Sequence, residues 1–225
     1  MLKRIFLSPF ILPLLFLVLL GSFIWGACFM YTGDLLQLTE DGECIDVIAK
    51  LGYIFLLYLL LFVYRDFSDK MLAWGMYIFL ALVCFLRESG IQHHLSMTDS
   101  TPFKSRFFLN PNNFLFEKII YGGFLLLIFW MLGYFAWKYG KSLIKGFLKF
   151  DTIAWSVAVL CCAGVGSKYI DRFPANYRRS HPGMSLDENV YAILQVVEEI
   201  TEMFLPYLAM FIILQYHLLK KKEVS

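Results

Sequence analysis

The chain has 225 residues, of which 59% are hydrophobic and 18% aromatic, and its formal net charge is +2. Soluble domains average about 45–50% apolar residues, so this composition excludes an ordinary soluble globular protein. The apolar residues fall in long runs separated by short polar connectors, which is the pattern of a polytopic membrane protein. We predict an all-α helix bundle, a single transmembrane domain over residues 1–225.

About six transmembrane helices are predicted, at residues 5–31, 47–64, 71–88, 117–137, 151–167 and 187–219. Each run offers about the 20 residues that cross ~30 Å of hydrocarbon at 1.5 Å per residue. The first run is far longer than the roughly 7–15 apolar residues of a signal peptide. We therefore expect it to be a transmembrane helix, bent or tilted around Pro9 and Pro13.

The fifth span repeats a small residue at every fourth position, at Ala154, Ala158, Cys162 and Gly166. Small residues at this spacing share one face of a helix and let a second helix approach closely. The sequence therefore predicts that this face packs against another span.

The charged residues of the connectors predict the orientation of the chain. One side of the predicted bundle has eleven Lys and Arg residues and the other has nine. The clusters at residues 3–4, 138–149 and 220–222 directly adjoin the ends of spans, so the positive-inside rule places both termini in the cytoplasm. The compact loops and short tails favour a bacterial inner membrane.

Acidic residues collect at the predicted outer boundary of the membrane. Glu88, Glu117 and Glu202 each lie about 27–31 Å along a straight helix from its cytoplasmic end. In the sixth span one helical face holds four polar residues, Gln195, Glu198, Glu199 and Glu202. Three carboxylates facing lipid would be costly, so we expect this face to point into the bundle or into a wet cavity.

A Glu/His/Arg site is predicted from these residues. Two histidines follow Glu88 by five and six positions, and basic residues lie on the same side. Carboxylates and imidazoles could bind a divalent metal or act as general acid and base, and Arg or Lys could hold an anionic headgroup. The predicted catalytic residues are Glu88, His93, His94, Glu198, Glu199 and Glu202. The metal hypothesis uses Glu88, His94, Glu198 and Glu202, and the predicted substrate contacts are Arg87, Arg106, Glu117, Lys118 and Arg172.

Three functions are compatible with this sequence. The first is a hydrolase or transferase acting on a lipid or lipid-linked substrate. The second is a non-catalytic assembly, scaffold or immunity protein, in which the same charges pair with one another. The third is a small cation- or proton-coupled transporter, which is disfavoured because the middles of the spans hold almost no ionisable residues. We expect the partners to be the lipid bilayer, an anionic lipid-linked substrate or a membrane protein, and not nucleic acid.

Overall fold

The computed structural model of the chain describes residues 8–30, 44–63, 71–91 and 105–224. All regular structure in these residues is helical, which confirms the predicted all-α class. We number the helices α1 Ile11–Met30, α2 Cys44–Tyr58, α3 Met71–Glu88, α4 Ser105–Leu109, α5 Leu115–Leu148, α6 Thr152–Ser180 and α7 Glu188–Val224. A π-helical turn, Leu59–Val63, continues α2.

Five helices among the described residues are long and apolar enough to cross a membrane: α1, α2 with its π-helical turn, α3, α5 and α6. The chain is therefore a multi-pass helical membrane bundle. The sixth predicted span lies in α7, which is not among the five. This helix of 37 residues carries the predicted glutamate face in its first half and contacts α6, α2 and α1. Its residues Val196, Ile200 and Met203 are buried by other helices, so α7 forms the centre of the bundle.

The predicted span boundaries agree with the structure for α3 and are too short for α5 and α6. The fifth predicted span ends at residue 167, whereas α6 continues as a helix over residues 168–180. Apolar runs mark where a helix crosses hydrocarbon, whereas a helix continues into water as long as its backbone bonds are satisfied. α6 ends just before Pro182 and Gly183, and Gly183 has φ +87°.

A tight turn joins α5 to α6. Phe150 adopts φ 56°, and Asp151 caps α6 by accepting a 2.9 Å hydrogen bond from the amide of Ala154. A Cβ at Gly146 would lie 2.9 Å from the Cβ of Ala154, so only glycine permits this approach. The two helices therefore run antiparallel from the turn.

The interface between α6 and α7 uses a different face from the predicted small-residue stripe. Cys162 is exposed and Gly166 borders open space, so the prediction is wrong for those positions. Two hydrogen bonds of 2.6 Å join the helices instead, from Ser156 to Gln215 and from Ser167 to Glu202. Buried polar groups must find partners, and this requirement selects the face of α6 that meets α7. The buried residues of α6 are Ala154, Ser156, Ala163 and Ser167.

α3 is held between α2 and α5. Its Trp74 donates a 2.7 Å hydrogen bond from Nε1 to the carbonyl of Leu60, inside the π-helical turn. Tyr77 stacks on Phe135 of α5 with ring centroids 4.9 Å apart. These contacts fix the position of α3 and therefore of Arg87 in its last turn.

α2 approaches α7 closely at Gly52. The hydroxyl of Tyr207 donates a 2.9 Å hydrogen bond to the carbonyl of Ile48. A Cβ at Gly52 would lie 2.8 Å from both the Cγ of Pro206 and the Cε2 of Tyr207. Contacts this short are not tolerated, so the spacing of the two helices depends on this glycine.

We predict that Gly52→Ala destabilises the bundle by about 1–3 kcal/mol, because the added methyl overpacks the contact with Pro206 and Tyr207. The matched control is Gly75→Ala in α3, where an added Cβ meets nothing within 4 Å. Thermal unfolding of both variants in mild detergent measures the difference. Equal midpoints for the two variants would contradict the described α2–α7 contact.

Candidate functional site

Glu202 is the centre of a charged cluster that joins three helices. Its side chain is only 7% exposed. Arg87 of α3 donates to Oε2 at 2.5 Å, while Lys168 and Ser167 of α6 donate to Oε1 at 2.5 Å and 2.6 Å. A carboxylate can be buried in an apolar bundle only when such charged or polar donors replace its lost hydration.

The backbone of α7 is interrupted near this site. Pro206 has no amide hydrogen and therefore cannot donate to the carbonyl of Glu202, one turn earlier in the helix. Thr201, the residue before Glu202, is buried and donates its hydroxyl to the carbonyl of Val197 at 2.6 Å. The cluster therefore lies beside a missing backbone hydrogen bond of α7.

Three further carboxylates interact electrostatically with Glu202. Glu198, one turn nearer to the N-terminal end of α7, lies 3.6 Å from the Nζ of Lys168. Glu199 is half-buried and interacts electrostatically with Glu202, Glu198 and Glu88. The structure thus brings together four of the six predicted catalytic residues, Glu88, Glu198, Glu199 and Glu202.

The four carboxylates differ in their partners. Glu202 has three donors, whereas no hydrogen bond or ion pair joins Glu199 to another residue in the described part of the chain. The two basic side chains of the cluster, Arg87 and Lys168, are 46% and 45% exposed. The four carboxylates therefore outnumber the two basic groups of the cluster, and the two basic groups remain partly exposed.

Several predicted residues lie apart from these contacts. The Nζ of Lys118 donates a 2.7 Å hydrogen bond to the carbonyl of Asn110, so this lysine fastens the segment that precedes α5. Glu117 interacts with Tyr121, one turn further along the same helix. Arg172 is exposed on α6, one turn beyond Lys168. The predicted roles of these three residues as substrate contacts stay predictions.

The two predicted histidines, His93 and His94, lie outside the described residues, as does the side chain of Arg106 in α4. Their predicted roles stay predictions.

The described part of the cluster does not fit a divalent metal. No group of three His, Cys, Asp or Glu side chains among the described residues could hold a metal ion. The oxygens of Glu202 already face Arg87 and Lys168, whose positive charges oppose a bound cation. Of the predicted ligands, His94 alone lies outside the described residues.

Ser167 and Lys168 complete the cluster. Lys168 is one of the basic residues near span ends that the sequence predicts to meet the glutamate face, whereas Ser167 has no predicted role. The two are adjacent polar residues in the C-terminal half of α6, beyond its apolar run. The sequence could not show which carboxylate they meet, because that depends on the rotation of α6 against α7.

Comparison of the chain with protein-family models, with curated proteins and with solved structures finds no match. The cluster is therefore interpreted from its own geometry and chemistry.

We predict that Glu202→Gln lowers the free energy of unfolding by about 1–2 kcal/mol. A buried ion pair that loses one partner costs about 3–5 kcal/mol, and the near half-exposure of Arg87 and Lys168 reduces that cost. The measurement is unfolding by sodium dodecyl sulfate in mixed micelles. Glu188→Gln, in the exposed first turn of α7, is the matched control.

A double-mutant cycle with Arg87→Gln isolates the contact between α3 and α7. We expect a coupling free energy of at least about 0.5 kcal/mol between Arg87 and Glu202, because these groups form a direct charged hydrogen bond. Strictly additive effects of the two substitutions would show that this contact does not hold α3 in place.

Proposed function

We propose that this multi-pass membrane protein is a hydrolase or a transferase that uses the glutamate cluster for acid–base chemistry on a lipid or lipid-linked substrate. The observation that carries the proposal is the contrast between two neighbouring carboxylates. Glu202 is held by three donors, whereas Glu199, close enough to interact with it, forms no hydrogen bond or ion pair with a described residue.

Such a contrast is what acid–base catalysis requires. Two carboxyl groups in different environments take different proton affinities, so one stays charged while the other exchanges a proton. In this arrangement Glu202 is a positioning residue, since it is already bonded to Arg87, Lys168 and Ser167. Glu199 removes a proton from the attacking water or acceptor hydroxyl and returns it to the leaving group.

The position of the cluster supports a substrate that resides in the membrane. Glu198 and Lys168 lie on the outer side of Glu202 and are partly accessible. A lipid headgroup at the membrane surface would reach this level without leaving the bilayer. An anionic headgroup would contact the exposed parts of Arg87 and Lys168, in competition with their bonds to Glu202.

A non-catalytic scaffold is the second candidate, and one observation favours it. Arg87, Lys168 and Glu202 satisfy one another across three helices, which is what a purely structural network would do. A scaffold function explains the contacts of Glu202 but gives no role to Glu199. A transporter has less support, because α7 has no Asp, Glu, Lys, Arg or His between Met203 and Leu214 to carry a charge across the bundle.

We predict that expression of the wild-type chain changes the abundance of at least one membrane lipid and that Glu199→Gln abolishes the change. Removal of a general base typically lowers a rate by about 10²–10⁴-fold, enough to return the lipid profile to that of cells without the protein. The measurement is mass spectrometry of total lipid extracts, made at matched protein levels.

Glu188→Gln is the matched control, since it removes an exposed carboxylate from the same helix. A lipid change that persists in Glu199→Gln would contradict the catalytic role of this residue. The scaffold would be favoured by two results together: the wild-type chain leaves the abundance of every lipid unchanged, and Glu202→Gln still lowers the free energy of unfolding.

A further inference from the structure

The length of α5 exceeds the thickness of the hydrocarbon core. The helix has 34 residues and is therefore about 51 Å long, whereas the core is ~30 Å thick. Its last part and the C-cap residue Lys149 carry lysines at positions separated by three, four and four residues, which places them on one face. These are Lys138, Lys141, Lys145 and Lys149, and no acidic residue lies between Tyr134 and Lys149.

An apolar stripe runs beside the lysines. Trp137, Ile144 and Leu148 are spaced by seven and four residues, so they share the neighbouring face. Their exposed fractions are 81%, 66% and 73%, which shows that no described part of the chain covers them. An exposed helix with adjacent apolar and lysine faces is typical of segments that lie at a membrane surface.

Aromatic residues surround the same end of the bundle. Trp155, at the start of α6, stacks on Phe147 and Phe150 with ring centroids 4.5 Å and 5.7 Å apart. Lys138 donates a 2.8 Å hydrogen bond to the hydroxyl of Tyr134 and lies 4.9 Å from the centre of that ring. Tyr and Trp concentrate at the boundary between hydrocarbon and headgroups, so this end of α5 lies at headgroup level.

The remaining lysines have no counter-charge within the described chain. Lys141, Lys145 and Lys149 are exposed and form no ion pair with another described residue. The acidic residue nearest in sequence, Asp151, caps α6. An array of exposed positive charges at headgroup level is complementary to the phosphates of anionic lipids.

We propose that the lysine face of α5 binds the headgroups of anionic phospholipids, with Trp137, Ile144 and Leu148 seated among the adjoining acyl chains. This surface lies on α5 and the α5–α6 turn, so the inference does not depend on the chemistry of the glutamate cluster. An acidic protein partner would fit the positive charges alone and would leave the apolar stripe unexplained.

Native mass spectrometry of the full chain, released from detergent after titration with phosphatidylglycerol or with phosphatidylcholine of the same acyl chains, tests the proposal. We expect the wild type to prefer phosphatidylglycerol. Each lysine near an anionic surface contributes about fivefold in affinity, so Lys141→Gln/Lys145→Gln reduces the preference by roughly 30-fold. The charge-retaining Lys141→Arg/Lys145→Arg restores it.

The matched control is Arg178→Gln/Arg179→Gln, which removes two exposed positive charges from the last turn of α6. This control is expected to keep the preference for phosphatidylglycerol. Equal binding of the two lipids by the wild type would overturn the proposal and favour an acidic protein partner. Equal losses in the Lys→Gln and Arg→Gln double variants would also overturn it, since they would show a general effect of net charge.

Discussion

A single buried carboxylate determines how α3, α6 and α7 are assembled at one end of this bundle. Glu202 lies inside an apolar structure, and its charge can remain there only with Arg87, Lys168 and Ser167 as donors. Because these donors come from α3 and α6, the requirement fixes the rotation of both helices relative to α7. The same contact places Glu198 near Lys168 and leaves Glu199 without a hydrogen bond or ion pair to a described residue. The proposed acid–base chemistry would use this difference in environment between Glu199 and Glu202.

The rest of the bundle keeps α7 in a position where this contact is possible. The α2–α7 contact at Gly52 and the hydrogen bond from Ser156 to Gln215 hold α7 from two sides. The backbone of α3 comes close to that of α7 at few positions. The position of α3 depends instead on its contacts with α2 and α5 and on the hydrogen bond from Arg87 to Glu202. Packing therefore sets the distances between the helices, and the charged hydrogen bonds determine how each helix is rotated about its own axis.

The two ends of the molecule have opposite chemistry. The end that contains Glu202 concentrates acidic groups, whereas the α5–α6 turn combines exposed lysines with stacked aromatic rings. An anchor on anionic headgroups at one surface would hold α5 and α6 at a fixed depth in the bilayer. Lys168 belongs to α6, so that depth also sets the level at which the glutamate cluster meets the opposite surface.

The sequence by itself determined the helical class, the membrane location and the shared face of Glu198, Glu199 and Glu202, because hydropathy and a 3.6-residue period are local properties. It could not determine where α6 ends or that Ser167 meets Glu202. A helix persists past its apolar run, and a pairing between residues 35 positions apart depends on how two helices are rotated about each other. At Cys162 and Gly166 the packing predicted from the small-residue stripe of α6 is wrong for the same reason. The tertiary structure selected another face, since burying Ser156 and Ser167 required acceptors that only α7 supplies.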